Sequence, residues 1–109
     1  MANCKVVAVV IARLTSSRLP KKQLRLINGI PLIQHIIERI SKIQTIDQIV
    51  LATGPKIENQ ELAEFVINFN VSTYFDPDVD DVTGRIARAA NHFKADIIVN
   101  ISGDCPLVE

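Results

Sequence analysis

Residues that suit the binding of an oligophosphate are concentrated in one loop near the start of the chain. The stretch VVAVVIARLTSSRLPKKQL, residues 6–24, passes from a small apolar run into a loop that contains no acidic residue. Arginine and lysine form charge-assisted hydrogen bonds with phosphate, and serine hydroxyls and loop N–H groups donate further ones. The candidate phosphate-binding residues of this basic loop (residues 13–22) are Arg13, Ser16, Ser17, Arg18 and Lys22.

The basic loop does not follow either of the two common phosphate-binding patterns. The sequence contains neither G-x-x-x-x-G-K-[ST] nor G-x-G-x-x-G, the signatures of Walker loops and dinucleotide sites. From charge content alone, a solvated basic loop explains the same residues equally well. The loop is nevertheless a local feature, because twelve basic residues balance twelve acidic ones in the whole chain. A neutral chain gives no global argument for binding nucleic acid or a membrane.

A second candidate site follows the last apolar run, in NISGDCPLV, residues 100–108. Asp104 comes directly after a glycine that ends a predicted strand. Mg²⁺ typically binds one or two carboxylates together with substrate phosphates, so Asp104 is a candidate metal ligand. An aspartate between glycine and proline is also a common turn residue, and that is the simpler interpretation of these residues alone.

The segment DPDVDDVTGR, residues 76–85, is rich in aspartate. It lacks the glycine and final glutamate of a calcium-binding EF-hand loop, and acidic residues are favoured at helix N-termini. Arg85 is a cation placed early in the predicted helix. It is positioned either to bind an anion or to pair with Asp81 one turn earlier, and the pairing is the simpler interpretation.

Four apolar, β-branched runs alternate with three helical patterns in which apolar residues recur at i, i+3, i+4 and i+7. This alternation predicts βαβ units, a parallel sheet and an α/β fold. The predicted strands are residues 6–12, 48–53, 71–75 and 96–102. The apolar helix positions are Ile33, Ile36, Ile37 and Ile40; Leu62, Phe65, Val66 and Phe69; and Ile86, Ala89, Ala90 and Phe93.

The strand series predicts the spatial order third, second, first, fourth. The first and fourth strands are then neighbours, and the crevice at their carboxyl ends is the switch point where open α/β sheets bind ligands. Arg13 and Asp104 both follow these ends. Cys4 and Cys105 fall at opposite ends of the neighbouring strands, too far apart for a disulfide.

Finer features of the elements are also predicted. Nearly continuous apolar runs indicate that the first and last strands are buried on both faces. Helix-start rules place the second helix at Glu58 or Asn59 and the third at Asp80 or Asp81. The pair Asn28-Gly29 predicts a tight turn.

Composition excludes several classes of protein. No apolar run reaches the roughly 20 residues that a membrane span needs, and the first residues do not follow a signal-peptide pattern. Two cysteines do not make a disulfide framework, so a reducing, cytoplasmic setting is expected. His35 and His92 fall on polar helix faces and are interpreted as surface residues.

Four motifs occur together in order: IARLTSSRLPKKQL, ENQELAEF, DDVTGRIARAA and GDCPLV. Through them the whole chain resembles the cytidylyltransferase family. Its closest subgroup looks like the spore coat polysaccharide biosynthesis protein F-like nucleotidyltransferases, with the synthetases of CMP-3-deoxy-manno-octulosonate and CMP-sialic acid more distant. The combination of R-x-x-S-S-R-L-P-x-K with G-D-x-P-L carries the resemblance.

The resemblance implies a three-layer, Rossmann-like nucleotide-diphospho-sugar transferase fold. It also implies transfer of a cytidylyl group from CTP to a sugar acid in cell-surface polysaccharide biosynthesis, with Mg²⁺ and release of pyrophosphate. By position, Arg13 and Lys22 are the implied catalytic residues, Asp104 the metal ligand, and Arg85 a nucleotide-binding residue. The implied nucleotide-phosphate loop contains Arg13, Ser16, Ser17, Arg18 and Lys22.

The resemblance has departures. Family members usually have glycine or alanine in place of Thr15 and glycine in place of Lys21, which prompts the alternative of a non-catalytic nucleotide-binding or assembly module. Family members are also longer, so residues 1–109 are expected to be the nucleotide-binding half of a truncated domain, inactive alone. The full-length enzyme is expected to be a homodimer that binds neither nucleic acid nor a membrane.

Overall fold

The computed structural model describes residues 4–14, 24–78 and 81–102, with Ser102 described by its backbone alone. The four predicted strands alternate with three helices, as the sequence predicts, and a short hairpin of two further strands precedes the first helix. The strands are β1 (Val6–Ile11), β2 (Leu26–Ile27), β3 (Ile30–Pro31), β4 (Gln48–Thr53), β5 (Val71–Phe75) and β6 (Ile97–Ser102), and the helices are α1 (Leu32–Ser41), α2 (Lys56–Val66) and α3 (Val82–His92).

A parallel sheet of four strands forms the centre of the fold, in the order β5-β4-β1-β6. This is the predicted order of third, second, first and fourth strand. β1 lies between β4 and β6, with Val9 paired to Val50 on one side and to Asn100 on the other. The carboxyl ends of β1 and β6 meet where Ile11 pairs with Ser102. The predicted switch point therefore exists in the sheet.

Helices cover both faces of the sheet, which makes the three predicted layers. Alternate residues of β1 point to opposite faces. Ala8 and Val10 pack in one core cluster with α1 and α2, while Val7 and Val9 pack with Ala89 of α3 in the other. The predicted apolar positions Ile33, Ile36, Ile37 and Ile40 of α1 are all buried.

A small hairpin leads into α1. β2 and β3 pair antiparallel around Asn28 and Gly29, whose φ angles of 55° and 80° are those of the turn that Asn-Gly favours. The hairpin is fastened to α1 because His35 Nε2 donates to the carbonyl of Ile27 at 2.7 Å. The predicted turn is confirmed.

The starts of α2 and α3 and the burial of β6 test three finer predictions. α2 begins at Lys56, after Pro55, so the predicted start at Glu58 or Asn59 is wrong. α3 is capped by Asp81, which accepts a hydrogen bond from Gly84 N, as one alternative predicted. β6 is not buried on both faces: Ile97 and Ile98 are 48% and 44% exposed, because β6 is an edge strand among the described residues.

Candidate functional site

The described part of the predicted phosphate-binding site consists of Arg13 and its neighbours, just beyond the carboxyl end of β1. Ala12 N donates to Ala52 O at 3.4 Å, so the chain follows β4 for one residue after the strand ends. Ala12 and Leu14 are buried at 4% and 3% exposure, whereas Arg13 between them is exposed. The Arg13 side chain is thus exposed just beyond the carboxyl end of β1, and its role in binding a ligand stays a prediction.

Most of the predicted site residues lie outside the described part of the chain. Ser16, Ser17, Arg18 and Lys22 follow Leu14, and Asp104 follows Ser102 by two positions. Thr15 and Lys21, which depart from the family pattern, also lie outside it, as does Cys105, which is predicted not to form a disulfide with Cys4. Cys4 is a free, exposed cysteine. The pairing of Ile11 with Ser102 shows that the chain enters the two candidate segments from neighbouring strands.

A buried asparagine fastens the start of the basic loop to α2. Asn59 is 0% exposed, and its Oδ1 accepts a hydrogen bond from Leu14 N at 2.8 Å. Its Nδ2 donates to the carbonyl of Pro55 at 2.9 Å, one turn earlier. Helix-start rules suggested a capping residue here, but the structure uses the side chain to join two segments that are 45 residues apart in sequence.

Arg85 lies in a buried ionic cluster at the carboxyl end of β5. Arg85 is 1% exposed and Asp76 is 2% exposed. Arg85 Nε lies 3.9 Å from Asp76 Oδ2, and its Nη2 donates to Asp78 O at 3.2 Å. Arg88 donates to the same Asp76 oxygen through Nη2 at 2.5 Å and Nε at 3.1 Å. We call Asp76, Arg85 and Arg88 the Asp76 cluster.

The expected pairing of Arg85 with Asp81 is wrong: Arg85 pairs with Asp76, and Arg88 is the residue that approaches Asp81. Arg88 Nη1 approaches Asp81 Oδ2 at 3.6 Å, with both side chains 40–50% exposed, while Arg85 turns inward to Asp76. The Asp76 cluster and Arg13 both lie at the carboxyl ends of strands, the cluster after β5 and Arg13 after β1. These two strands are not neighbours, because β4 lies between them. A nucleotide-binding role for Arg85 stays a prediction.

The electrostatics of the Asp76 cluster favour the ionised carboxylate. Burial alone would raise the pKa of Asp76, but the hydrogen bond from Arg88, the N–H of Asp78 and the charges of Arg88 and Arg85 together lower it below its ordinary value. The same hydrogen bond to Asp76 raises the pKa of Arg88. The folded protein therefore favours the charged form of Asp76 more than the unfolded chain does.

The lowered pKa of Asp76 predicts a specific acid sensitivity. Its stabilising contribution is fully present above the pKa of the unfolded chain, about 3.9, and is lost as the pH falls through the lower folded value. The difference in unfolding free energy between wild type and Asp76→Asn should shrink as the pH falls below about 4. Urea unfolding at several pH values checks this, and a difference that stays constant to the acid limit would contradict it.

The described residues do not by themselves make a metal centre. They contain no group of three or more His, Cys, Asp or Glu side chains that could hold a metal ion. Mg²⁺ usually keeps its waters and takes one or two carboxylates plus substrate phosphates. A single aspartate after β6 is compatible with that donor set, and Asp104, the predicted ligand, lies outside the described residues.

The sequence profile of the cytidylyltransferase family matches residues 7–109, and so includes both predicted site segments. The chain belongs to the cytidylyltransferase family. Among curated relatives of this cytidylyltransferase chain, 3-deoxy-manno-octulosonate cytidylyltransferase 2 of Hydrogenovibrio crunogenus is 42% identical over 108 residues, which cover 95% of this chain and 42% of the relative. The corresponding enzyme of Pelobacter propionicus is 37% identical over 103 residues, 94% of this chain and 39% of the relative.

Solved structures agree with the family and the fold. CMP:2-keto-3-deoxy-manno-octonic acid synthetase, solved in complex with CTP, superposes with a TM-score of 0.83 at 32% identity, over 96% of this chain and 42% of that one. A cytidylyltransferase from Leptospira borgpetersenii serovar Hardjo-bovis gives 0.86 at 28% identity, over 98% and 44%. The cytidylyltransferase chain thus spans less than half the length of these relatives. Its assignment to the spore coat subgroup stays a prediction.

No helix within residues 4–14, 24–78 and 81–102 combines the length and apolar character needed to cross a membrane.

Three residues that organise the site region were not singled out from the sequence for the roles they have. Asn59, Asp76 and Arg88 act through contacts with residues distant in sequence or one helical turn away. The sequence signals for Asp76 are its place directly after a predicted strand and at the start of the aspartate-rich segment, and neither indicates its partners; Arg88 resembles any helix-surface arginine.

Proposed function

We propose that the full-length protein transfers a cytidylyl group from CTP to a sugar acid and releases pyrophosphate, in the synthesis of a cell-surface polysaccharide. Residues 1–109 would form the nucleotide-binding half of that enzyme. The parallel pairing of Ile11 with Ser102 carries the proposal, because it brings together the strand ends that precede the basic loop and Asp104. Family membership and the names of the relatives support the reaction class.

In this reaction an oxygen of the sugar acid forms a bond to the α-phosphorus of CTP. The bond from that phosphorus to the β-phosphate oxygen breaks, pyrophosphate leaves, and the acceptor's hydroxyl proton passes to solvent. We assign to Arg13 and Lys22 the binding of the triphosphate and the stabilisation of the charge that develops on the leaving pyrophosphate. Ser16, Ser17 and Arg18 would donate further hydrogen bonds, and Arg85 would act near the nucleotide.

Mg²⁺ is the proposed metal and Asp104 its proposed protein ligand. When bound, the ion would neutralise phosphate charge and polarise the reacting phosphoryl group. A cytoplasmic location and a homodimer complete the proposal for the full-length protein.

A non-catalytic nucleotide-binding or assembly module is the second candidate. The observation that favours it is the presence of Thr15 and Lys21 where family members usually have small residues. The two candidates differ in one assay: CTP- and Mg²⁺-dependent pyrophosphate release by the full-length protein across a panel of sugar acids, alongside CTP titrations. Binding of CTP without pyrophosphate release from any acceptor would favour the module.

Replacing Lys22 by Ala should weaken CTP binding about 10- to 150-fold, because a charge-assisted hydrogen bond contributes roughly 1.5–3 kcal/mol. Isothermal titration of the full-length protein with CTP measures the change. Lys42→Ala is the matched control, since Lys42 is an exposed residue that ends α1, away from the basic loop in sequence. Unchanged CTP affinity in Lys22→Ala would mean that the basic loop is only a solvated surface loop.

A further inference from the structure

We infer that Asn59 is a positioning residue that fixes Arg13 and the start of the basic loop for triphosphate binding. The inference rests on the proposed function and deepens it. Asn59 is fully buried in the first half of α2. Neither the family motifs nor the helix pattern assigns it this role.

The geometry fixes the backbone on both sides of Arg13. On one side Ala12 N donates to Ala52 O, and on the other Leu14 N donates to Asn59 Oδ1 at 2.8 Å. The flanking side chains of Ala12 and Leu14 belong to the core cluster that α1 and α2 cover. Arg13 is therefore the exposed residue between two hydrogen-bonded, buried neighbours, so its side chain is directed outward from a fixed point.

Asn59 joins this point to a rigid element. Its Nδ2 donates to Pro55 O at 2.9 Å, so the amide is oriented by the first turn of α2 before it accepts from Leu14 N. Pro55 lies two residues beyond the carboxyl end of β4, and β4 is the neighbour of β1 in the sheet. The amide thus sets the distance between the first turn of α2 and the residue where the basic loop begins.

An oligophosphate site depends on such positioning, because a displacement of about 1 Å in a binding group can cost on the order of 100-fold in activity. Without Asn59, Leu14 N would lose its buried acceptor, and the chain at Arg13 would shift to find water or another partner. The phosphate-dependent part of nucleotide binding should suffer, while contacts to the base and ribose should not.

Two substitutions separate the two hydrogen bonds of Asn59. Asn59→Asp keeps an oxygen that accepts from Leu14 N but loses the donor to Pro55 O. Asn59→Ser is too short to reach Leu14 N, yet a helical serine can donate to the carbonyl four residues earlier, which here is Pro55 O. If Asn59 positions the loop, CTP binding should be kept better in Asn59→Asp than in Asn59→Ser. If Asn59 only supports the start of α2, CTP binding should be kept better in Asn59→Ser.

The test measures the affinities for CTP and for cytidine in the full-length protein. Asn59→Ala and Asn59→Ser should weaken CTP binding about 10- to 100-fold with little change for cytidine, and Asn59→Asp should bind CTP more tightly than Asn59→Ser because its carboxylate still accepts from Leu14 N. Val66→Ala, a core truncation on the same helix, controls for lost stability. If Asn59→Ala does not fold, the Asp and Ser variants decide the question by themselves.

Amide hydrogen exchange at Leu14 gives a second readout that does not need a ligand, and it should be faster in Asn59→Ser than in Asn59→Asp. Equal CTP affinities in Asn59→Ser and Val66→Ala would overturn the inference and leave the proposed function intact. Failure of the wild type to bind any nucleoside triphosphate would overturn the proposed function, and with it the positioning role.

Discussion

Replacing Asp76 by Asn should lower the free energy of unfolding by about 3–5 kcal/mol, as expected when one partner of a buried ion pair is removed. Asparagine keeps the shape of the side chain but not its charge. Arg85, at 1% exposure, would then keep a buried positive charge without the carboxylate 3.9 Å from its Nε. The loss should appear in urea unfolding near neutral pH as a lower midpoint.

Asp81→Asn is the matched control for this change. Asparagine caps a helix about as well as aspartate, and the pair that Asp81 makes with Arg88 is half exposed at 3.6 Å. Exposed pairs of this kind contribute roughly 0–1 kcal/mol. A control as destabilised as Asp76→Asn would show that the first turn of α3, and not the Asp76 cluster, holds this part of the fold.

A double variant keeps the prediction testable where Asp76→Asn fails to fold. Replacing both members of a buried ion pair by uncharged residues is often close to neutral. Asp76→Asn combined with Arg85→Met should therefore be more stable than Asp76→Asn alone. Equal instability of the single and double variants would count against the loss of the Asp76 charge beside Arg85 as the cause.

The sequence predicts the sheet well because each strand carries its own signal. β4 and β5 have the predicted limits, and β1 and β6 differ from theirs by one residue. The order of the strands follows from general rules of connection. Edges are harder to predict: Ile97 and Ile98 resemble residues of a buried strand, and their exposure depends on how many strands lie beside β6, which local pattern does not encode.

Polar residues inside the fold are where sequence reasoning fails. An arginine one turn into a helix is normally exposed, so the sequence predicts that Arg85 pairs with Asp81, four residues earlier. Its burial depends on Asp76, which β5 brings to the base of α3. The role of Asn59 is missed for the same reason, since its partner Leu14 N is 45 residues away in sequence. Periodicity and capping rules use only neighbouring residues, so they cannot predict a role that depends on a partner distant in sequence.

The basic loop is predicted to bind phosphate because it has several cations in a short segment, and that role stays a prediction. The structure adds the positions of the elements beside the loop. The carboxyl ends of β1 and β6 are neighbours, and hydrogen bonds from Ala12 N and Leu14 N hold the backbone on both sides of Arg13. Arg85 illustrates the limit of transferring roles by position, because a family-matched cation that is 1% exposed needs a structural explanation before a ligand-binding one.

In the full-length protein, Asp104→Asn should reduce pyrophosphate release about 1,000-fold. Asparagine preserves the shape of the side chain but removes the charge that Mg²⁺ binding requires. The expected size follows from the several kcal/mol that a bound metal contributes to reactions at phosphorus, at roughly 1.4 kcal/mol for each factor of ten. In sequence, Asp104 lies two positions after Ser102, whose partner in the sheet is Ile11.

Nucleotide titrations separate a metal-binding role of Asp104 from a structural one. CTP affinity in EDTA should be unchanged in Asp104→Asn, whereas the gain in affinity that Mg²⁺ gives the wild type should disappear. Asp96→Asn is the matched control at the amino end of the same strand, where the carboxylate accepts from Lys5 N at 2.7 Å, an acceptor role that asparagine can keep. Wild-type turnover in Asp104→Asn would refute the metal assignment, and an equal loss of CTP affinity with and without Mg²⁺ would indicate a structural role for Asp104 in place of metal binding.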